Sequence, residues 1–423
     1  MGYDMQYKAL RGFRDFYPEE MSARRKVFDK IYAFARTYGF REIDMPSVES
    51  LDLLKKKSGE GIVQELFCFK DKGDREITLI PETTPTVARM VASNKTLAKP
   101  LRWFSLGKLW RYEEPQAGRL REFYQLNVDI FGVPGVEADA ELIAFSVRLL
   151  ESLGLSDEFI IKISDRTILN ECCTGKNTEE IFRIIDKRDK MTDSELYAEL
   201  GRAGLSDEEQ QRITEIIKIT GDNLEMLEQY LPDSEPVRKS VTRLMELFNL
   251  LKIYGVDEKC ELDLSIVRGI AYYTGIVFEC HDVKGSLRAV FGGGRYDKLV
   301  ELLGGDPTPA VGFALGDAVL EILLKRAGKW PEEKLRTDYM IILTEPRYID
   351  ICIRLADTLR RKGYITEWDI LKRKVGAQMR HANRINAEKT VFIGEDELKS
   401  GNVLVRDMKT GDQKLVPLRE FTD

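Results

Sequence analysis

The stretch that most constrains the fold is residues 100–132, "PLRWFSLGKLWRYEEPQAGRLREFYQLNVDIFG", which reads as two strands around a Pro/Gly loop. In its second strand Leu120, Tyr124, Leu126, Val128 and Ile130 alternate with Arg119, Arg121, Phe123, Gln125, Asn127 and Asp129; Glu122 alone breaks the apolar set. A period of two puts each set on its own face. The polar face could simply be solvated, as on a half-exposed strand. Against that, Gln, Asn and Asp are poor strand formers, so another demand holds them there. The partner strand ends "LWRYEE", bringing Arg111 and Glu113 to the same loop. Arginines that fork onto phosphate, an aromatic for stacking and a carboxylate for an amine suit a nucleotide and an amino acid together. Pattern alone leaves both readings open.

Around this hairpin the chain is modular. A length of 423 residues predicts two or three domains, and 43% hydrophobic content is that of a globular protein. An amphipathic helix beginning near Ser22 is expected before "FREIDMPSVES", and "EADAELIAFSVRLLESLGL" reads as another. From 168 to 257 the texture turns polar, acidic and helix-forming, with "TDSE" and "SDEE" as capping-box starts, so this is expected to be an all-helical insertion. Strand texture returns at "CELDLSIVRGIAYYTGIVFEC" and, after a turn at "DVKGSLR", leads into "AVFGGGRYDKLVELLGG". A linker over 325–337 precedes alternating strands and helices, predicting a small α/β domain over 337–423 after a first domain over 1–330.

Composition excludes several classes. With 65 basic and 71 acidic residues the net charge is −6, unlike a surface that coats nucleic acid throughout. Six cysteines without a C-x-x-C pair, and only two histidines, argue for reduced thiols and against a zinc site. The N-terminus lacks the apolar stretch of a signal peptide, and no apolar run approaches a membrane span, so a soluble, cytoplasmic protein is expected.

Two more clusters suggest chemistry. In "SIVRGIAYYTGIVFE", Arg268 interrupts an apolar run; it should be bound to an anion or held in a buried ion pair. "GGGRYD" lets a backbone approach a ligand closely, though glycines also make plain turns. In "AVGFALGDAVL", Gly312 and Gly316 frame a short strand before a helix whose free N–H groups could bind phosphate. Asp317 sits on that entrance and is expected to cap the helix.

"RGFRDFYPEE", "PETTPTVARM", "WRYEEPQAGRLREFYQLNVDIFG", "VRGIAYYTGIVFE" and "GGGRYDKLV" together resemble, in order and spacing, the histidyl-tRNA synthetases, a class II aminoacyl-tRNA synthetase family. The resemblance covers nearly the whole chain. It implies an α+β catalytic domain built on the class II antiparallel sheet of six or seven strands, a helical insertion, and a C-terminal α/β anticodon-binding domain. It also implies the activity: histidine and ATP give histidyl-adenylate and pyrophosphate, and histidine then passes to the terminal ribose of tRNA(His). By matching motif position, Glu82, Thr84, Arg111, Gln125, Asp129, Arg268, Tyr272 and Tyr273 would surround histidine. Glu82, Gln125 and Thr84 would take the α-amino group, and Asp129 with a tyrosine hydroxyl would read the two imidazole nitrogens. Arg111 would hold the α-phosphate and substrate carboxylate, and Arg268 would stabilise charge developing at that phosphate. Glu113, Arg119, Phe123 and Gly316 would complete the ATP site. Mg²⁺ should accompany ATP, with ligands that the sequence does not name. A C2 homodimer is expected from the likeness of "FREIDMPSVE" to the class II interface segment.

Two departures stand out. Much of the class carries an arginine where this chain has Val319, and the family's acid within R-G-L-D-Y-Y is Ala271 here. Both losses fit the alternative of a non-catalytic, histidine-sensing relative such as an ATP phosphoribosyltransferase regulatory subunit. Against it stand the suitable residues at every matched histidine position, Arg111 and Arg119 for phosphate, and the C-terminal domain. A class II enzyme for threonine, proline or glycine is opposed by the Y-Y-T-G motif. Nine basic residues against three acids between Arg354 and Arg384 could be a solvated helix face, but in a domain that resembles an anticodon reader they suggest a phosphate-tracking surface for tRNA, and Trp368 is either a base-stacking or a core residue.

Overall fold

The structure is a computed structural model that describes residues 7–422 apart from 59, 174–175, 189–190, 222–228, 269–271, 286 and 333–334. It divides into two compact units, Met1–Asp15 with Lys26–Trp330 and Phe16–Arg25 with Pro331–Asp423. Among the described residues no helix is long and apolar enough to cross a membrane.

The first unit is organised by a nine-stranded sheet. Its strands are β1 (Arg41–Glu42), β2 (Leu101–Trp110), β3 (Glu122–Phe131), β4 (Phe159–Asp165), β5 (Thr220–Gly221), β6 (Cys260–Asp263), β7 (Ile276–Asp282), β8 (Phe291–Arg295) and β9 (Ala310–Gly316). Their order is β1-β2-β3-β9-β8-β7-β4-β6-β5. The six central strands, β2 to β4 in that order, are antiparallel throughout; parallel pairs join only β1 to β2 and β4 to β6. The hairpin that the alternation predicts is β2–β3, in register from Leu101↔Phe131 to Trp110↔Glu122.

Directly opposed residues share a face of the sheet, so the register divides β3 cleanly. Leu126, Val128 and Ile130 enter one large core with Phe313, Leu315, Phe278 and the helix Glu137–Ser152. The other face carries three cross-strand rows: Asp129–Gly312–Gly294–Val277, Asn127–Ala314–Gly292–Glu279, and Gln125–Gly316. Because β8 and β9 contribute only glycine and alanine to these rows, that face is a trough. Helix Thr84–Ser93 packs with Tyr296, Tyr273 and Val277 in a second, smaller core on this side.

In the segment 168–257 the described residues form the helices Thr178–Asp186, Asp193–Arg202, Asp207–Ile216 and Glu235–Tyr254, with complete capping boxes at Thr192/Glu195 and Ser206/Glu209. The segment is not entirely helical, since β5 leaves it to pair with β6 at the sheet edge. Helix Pro18–Thr37 begins a turn before Ser22, because proline's fixed φ suits a first helical position.

The second unit has five strands, β10 (Thr337–Leu343), β11 (Thr366–Trp368), β12 (Ala387–Ile393), β13 (Asn402–Asp407) and β14 (Gln413–Pro417), in the order β11-β10-β12-β13-β14. β10 pairs parallel with β11 and β12, while β13 and β14 add an antiparallel hairpin. Trp368 packs against this unit's core.

Candidate active site

The trough on the first unit holds a cavity of about 420 Å³. Of the residues expected at the site, Glu82, Thr84, Arg111, Glu113, Arg119, Phe123, Gln125, Arg268, Tyr272, Tyr273 and Gly316 all line it. Asp129 does not. It is 3% exposed and lies under the floor, where the Tyr296 hydroxyl donates to Oδ1. Gly312 makes that burial possible, since a Cβ there would stand 2.1 Å from Asp129 Oδ1. Burial holds the Asp129 carboxyl up at about 7, against an opposing effect of the Tyr296 hydrogen bond.

The amino-acid end is built from three chain segments. Tyr272 Oη donates to Glu82 Oε2 over 3.0 Å, and Arg111 Nε donates to the Pro81 carbonyl over 2.9 Å. These bonds tie "PETTP" to the two arginine-bearing segments. Thr84 is the first residue of its helix, behind Thr83 at the N-cap, where no side-chain cap bond forms. On β3, Gln125 Oε1 and Asn127 Oδ1 are buried without a hydrogen-bond partner among the described residues. Two such acceptors in a native pocket call for a donor.

The cationic end depends on positioning by carboxylates. Arg268 has φ +46, in the left-handed region that bulky residues rarely enter. Its guanidinium pairs with Glu279, which in turn is 3.1 Å from His281 Nε2. Burial works against the charge on Arg268, but Glu279 and both tyrosines outweigh it and hold its pKa above the ordinary value. The head of Arg268 lies directly over Gly292, where a Cβ would be 1.6 Å from Nη1. "GGG" is therefore a floor for this arginine. The flanking Gly269, and Ala271 where the family carries an acid, lie outside the described residues.

Arg111 stacks over Phe123, 5.2 Å from the ring centroid, and burial pushes its pKa down against the pull of Glu82 and Glu65. Arg119 is ion-paired to Glu113 across the 113–119 loop. The expected cap at Asp317 is a correction. Gly316 is the N-cap and makes no side-chain cap bond, while Asp317 is the first helical residue. Its buried carboxylate instead accepts two bonds from Arg14 Nη2, at 2.8 and 3.0 Å, and one from the Tyr124 backbone N–H at 2.9 Å. An ion pair and a strand-end donor outcompete the helix N-terminus.

The same geometry has relatives. Residues 12–318 match the family described as histidyl-tRNA synthetase, and residues 338–423 match the anticodon binding domain. The chain belongs to the histidyl-tRNA synthetase family. The histidine–tRNA ligase of Haloarcula marismortui is 46% identical over 98% of this chain and 97% of that protein, and that of Thermoplasma volcanium is 40% identical over 99% and 98%. The crystal structure of histidyl-tRNA synthetase from Nostoc sp. PCC 7120 superposes with a TM-score of 0.78 at 25% identity, covering 99% of each chain. Full-length likeness to ligases does not favour the non-catalytic alternative. As expected of the family, this is a class II catalytic domain with an antiparallel sheet and a C-terminal anticodon-binding domain.

Several lining residues of this synthetase are not among the site residues expected from sequence: Asn127, Asp186, Glu279, His281, Arg288 and Tyr296. Asn127 carried a signal, being on the polar face of β3 with Gln125. Glu279 and Tyr296 belong to the quoted motifs, but Glu279 meets Arg268 only because the chain turns back between them, and Tyr296 meets Asp129 across 167 positions. Asp186 ends the insertion helix Thr178–Asp186, and nothing local marks it as a pocket residue. Burial, then repulsion from Glu279, raises its pKa.

Proposed function

We propose that the trough binds histidine and ATP side by side, and that the chain joins histidine to tRNA(His) by way of histidyl-adenylate. The observation that carries this reading is the pair of unpartnered buried acceptors, Gln125 Oε1 and Asn127 Oδ1, in the same cavity as Arg111 and Arg268. An α-ammonium group complements the two acceptors and Glu82. The imidazole side chain then faces the deep row. There Tyr296, whose proton is engaged by Asp129, offers an oxygen lone pair to a ring N–H. Asp129 thus acts through Tyr296, as a positioning residue.

The substrate carboxylate lies toward Arg111 and Arg268. Its oxygen attacks the α-phosphorus of ATP, and the bond to pyrophosphate breaks with the electron pair leaving on pyrophosphate. No protein nucleophile is needed. Arg268, fixed by Glu279 over Gly292, is a preplaced donor for charge on the α-phosphate, and the pocket supplies proximity. Phe123, backed by Arg111, lines the cavity and offers its ring to adenine, with Glu113 and Arg119 on the adjoining loop. The terminal ribose hydroxyl of tRNA then attacks the acyl carbon, and AMP leaves.

ATP enters as its Mg²⁺ complex. Among the described residues no group of three or more His, Cys, Asp or Glu side chains could hold an ion. The cation is counted with the substrate it accompanies. The 337–423 domain, with the basic run from Arg354 to Arg384, takes the anticodon end, although Arg361 and Arg373 are each paired to a neighbouring aspartate. Assembly as a C2 homodimer and residence in the cytoplasm complete the reading.

ATP–pyrophosphate exchange with each amino acid in turn tests it. Exchange is expected with histidine. Silence with histidine would overturn the proposal, and exchange with another amino acid would redirect it.

A further inference from the structure

The class position for a phosphate-binding arginine is Val319, and the fold leaves no room to restore it. Val319 is 7% exposed and packs under the turn of the 113–119 loop. Gly118 there has φ +74, and a Cβ on it would already be 2.8 Å from Val319 Cγ2. The remaining cations near the floor are engaged. Arg268 is paired to Glu279, Arg119 to Glu113, and Arg111 is anchored on the Pro81 carbonyl. A triphosphate carries about four negative charges, so one more partner is called for at its outer end.

Arg288 is placed for that. It lines the cavity, is exposed, and makes no hydrogen bond or ion pair with any described residue. The register locates it. The deep row holds Asp129 and Gly312, the middle row Asn127 and Gly292, and the outer row Gln125 and Gly316. β8 starts at Phe291, opposite Leu315, and Arg288 precedes it by three residues, beyond the outer row. It therefore stands at the mouth, at the Gly316 end and away from Tyr296. Its charge is felt by Arg119, whose pKa is lowered by burial first and then by Arg288 and Arg111. The Asp186 carboxyl, on which Arg268 and Arg288 both act, offsets part of this crowding of guanidiniums, and an anion between them relieves the rest.

We propose that Arg288 binds the β- and γ-phosphates of ATP from the wall opposite Val319, doing the work of the arginine that this chain lacks. The proposal rests on the reading of the trough as an ATP–histidine site. The experiment compares wild type with Arg288→Ala and Arg288→Lys in histidine-dependent ATP–pyrophosphate exchange. Direct binding of ATP and of AMP to each protein is measured alongside. For Arg288→Ala the KM for ATP should rise about tenfold to a hundredfold, with the KM for histidine within twofold. ATP binding should weaken by the same factor while AMP binding holds, and Arg288→Lys should recover part of the loss. An unchanged ATP KM would overturn the proposal. So would equal weakening of ATP and AMP, which would mark a structural role. A defect confined to transfer onto tRNA, with exchange intact, would assign Arg288 to the tRNA backbone instead. Should the wild type exchange with no amino acid, the functional reading fails, while the ATP-against-AMP comparison still decides the role of Arg288.

Discussion

Replacing Gly292 by alanine should disable the chemistry while leaving the fold nearly intact. The added Cβ would lie 1.6 Å from Arg268 Nη1, 2.3 Å from Cζ and 2.8 Å from Nη2, all inside the 3.0 Å that real Cβ contacts respect. Nη1 must retreat by roughly 1.4 Å, a displacement of the size that costs about a hundredfold in rate when a reacting group is misplaced. Losing one preplaced donor to a developing oxyanion costs about 10²–10³ in kcat, or ~2.7–4 kcal/mol. Folding should suffer much less, because the clashing atoms end a flexible side chain and the solvent-accessible cavity can receive them. The variant is therefore expected to show kcat for exchange down about a hundredfold, KM for histidine changed only a few-fold, and a thermal midpoint within a few degrees of wild type. Exchange at the wild-type rate would refute the assignment of Arg268 to the transition state. A large drop in the midpoint matching the activity loss would show that Gly292 serves packing instead.

Other changes probe the supports of the site. Arg295 is 1% exposed, paired to the buried Asp139 and bonded to the Val133 and Gly135 carbonyls at 3.0 and 2.8 Å. Arg295→Leu should cost about 3–5 kcal/mol in urea unfolding, because it strands a buried carboxylate; a loss below 1 kcal/mol would contradict that. Asp317→Ala should lower stability by about 1.5–3 kcal/mol through its bonds to Arg14 and Tyr124, and raise the KM for ATP by loosening the Gly316 end. A variant as stable as wild type would return Asp317 to the role of a dispensable helix-start residue. Asp129 gives a pH signature. Its pKa rises from 3.8 unfolded to about 7 folded, so its stabilising contribution is full below pH 3.8 and lost as pH rises through about 7. Wild type should lose stability relative to Asp129→Asn across that window, and parallel pH profiles would disprove the buried protonated state.

The local period of two was enough to recover the β2–β3 hairpin and to mark Gln125, Asn127 and Asp129 as a set, because alternation along one strand is written in adjacent residues. Capping boxes at Thr192 and Ser206 were legible for the same reason. The hairpin β13–β14 departs from the strand–helix alternation expected of 337–423, although "VLVRDMKTGDQKLV" alternates around a turn. Motif likeness placed Arg111, Arg268 and Tyr272 in one site. The reach between them was not readable, since Tyr272 meets Glu82 across 190 positions and Tyr296 meets Asp129 across 167.

The sequence by itself determined the classes of element and the family, and it named most of the side chains proposed for an amine, an imidazole or a phosphate. Only the tertiary structure decided how those side chains are held. It set Asp129 beneath Tyr296, Arg268 over a glycine floor, Asp317 on Arg14, and Arg288 at the mouth. The physical reason is that each of these depends on register between strands distant in the chain. Register is fixed by the packing of a whole sheet face, whereas periodicity records only one strand at a time.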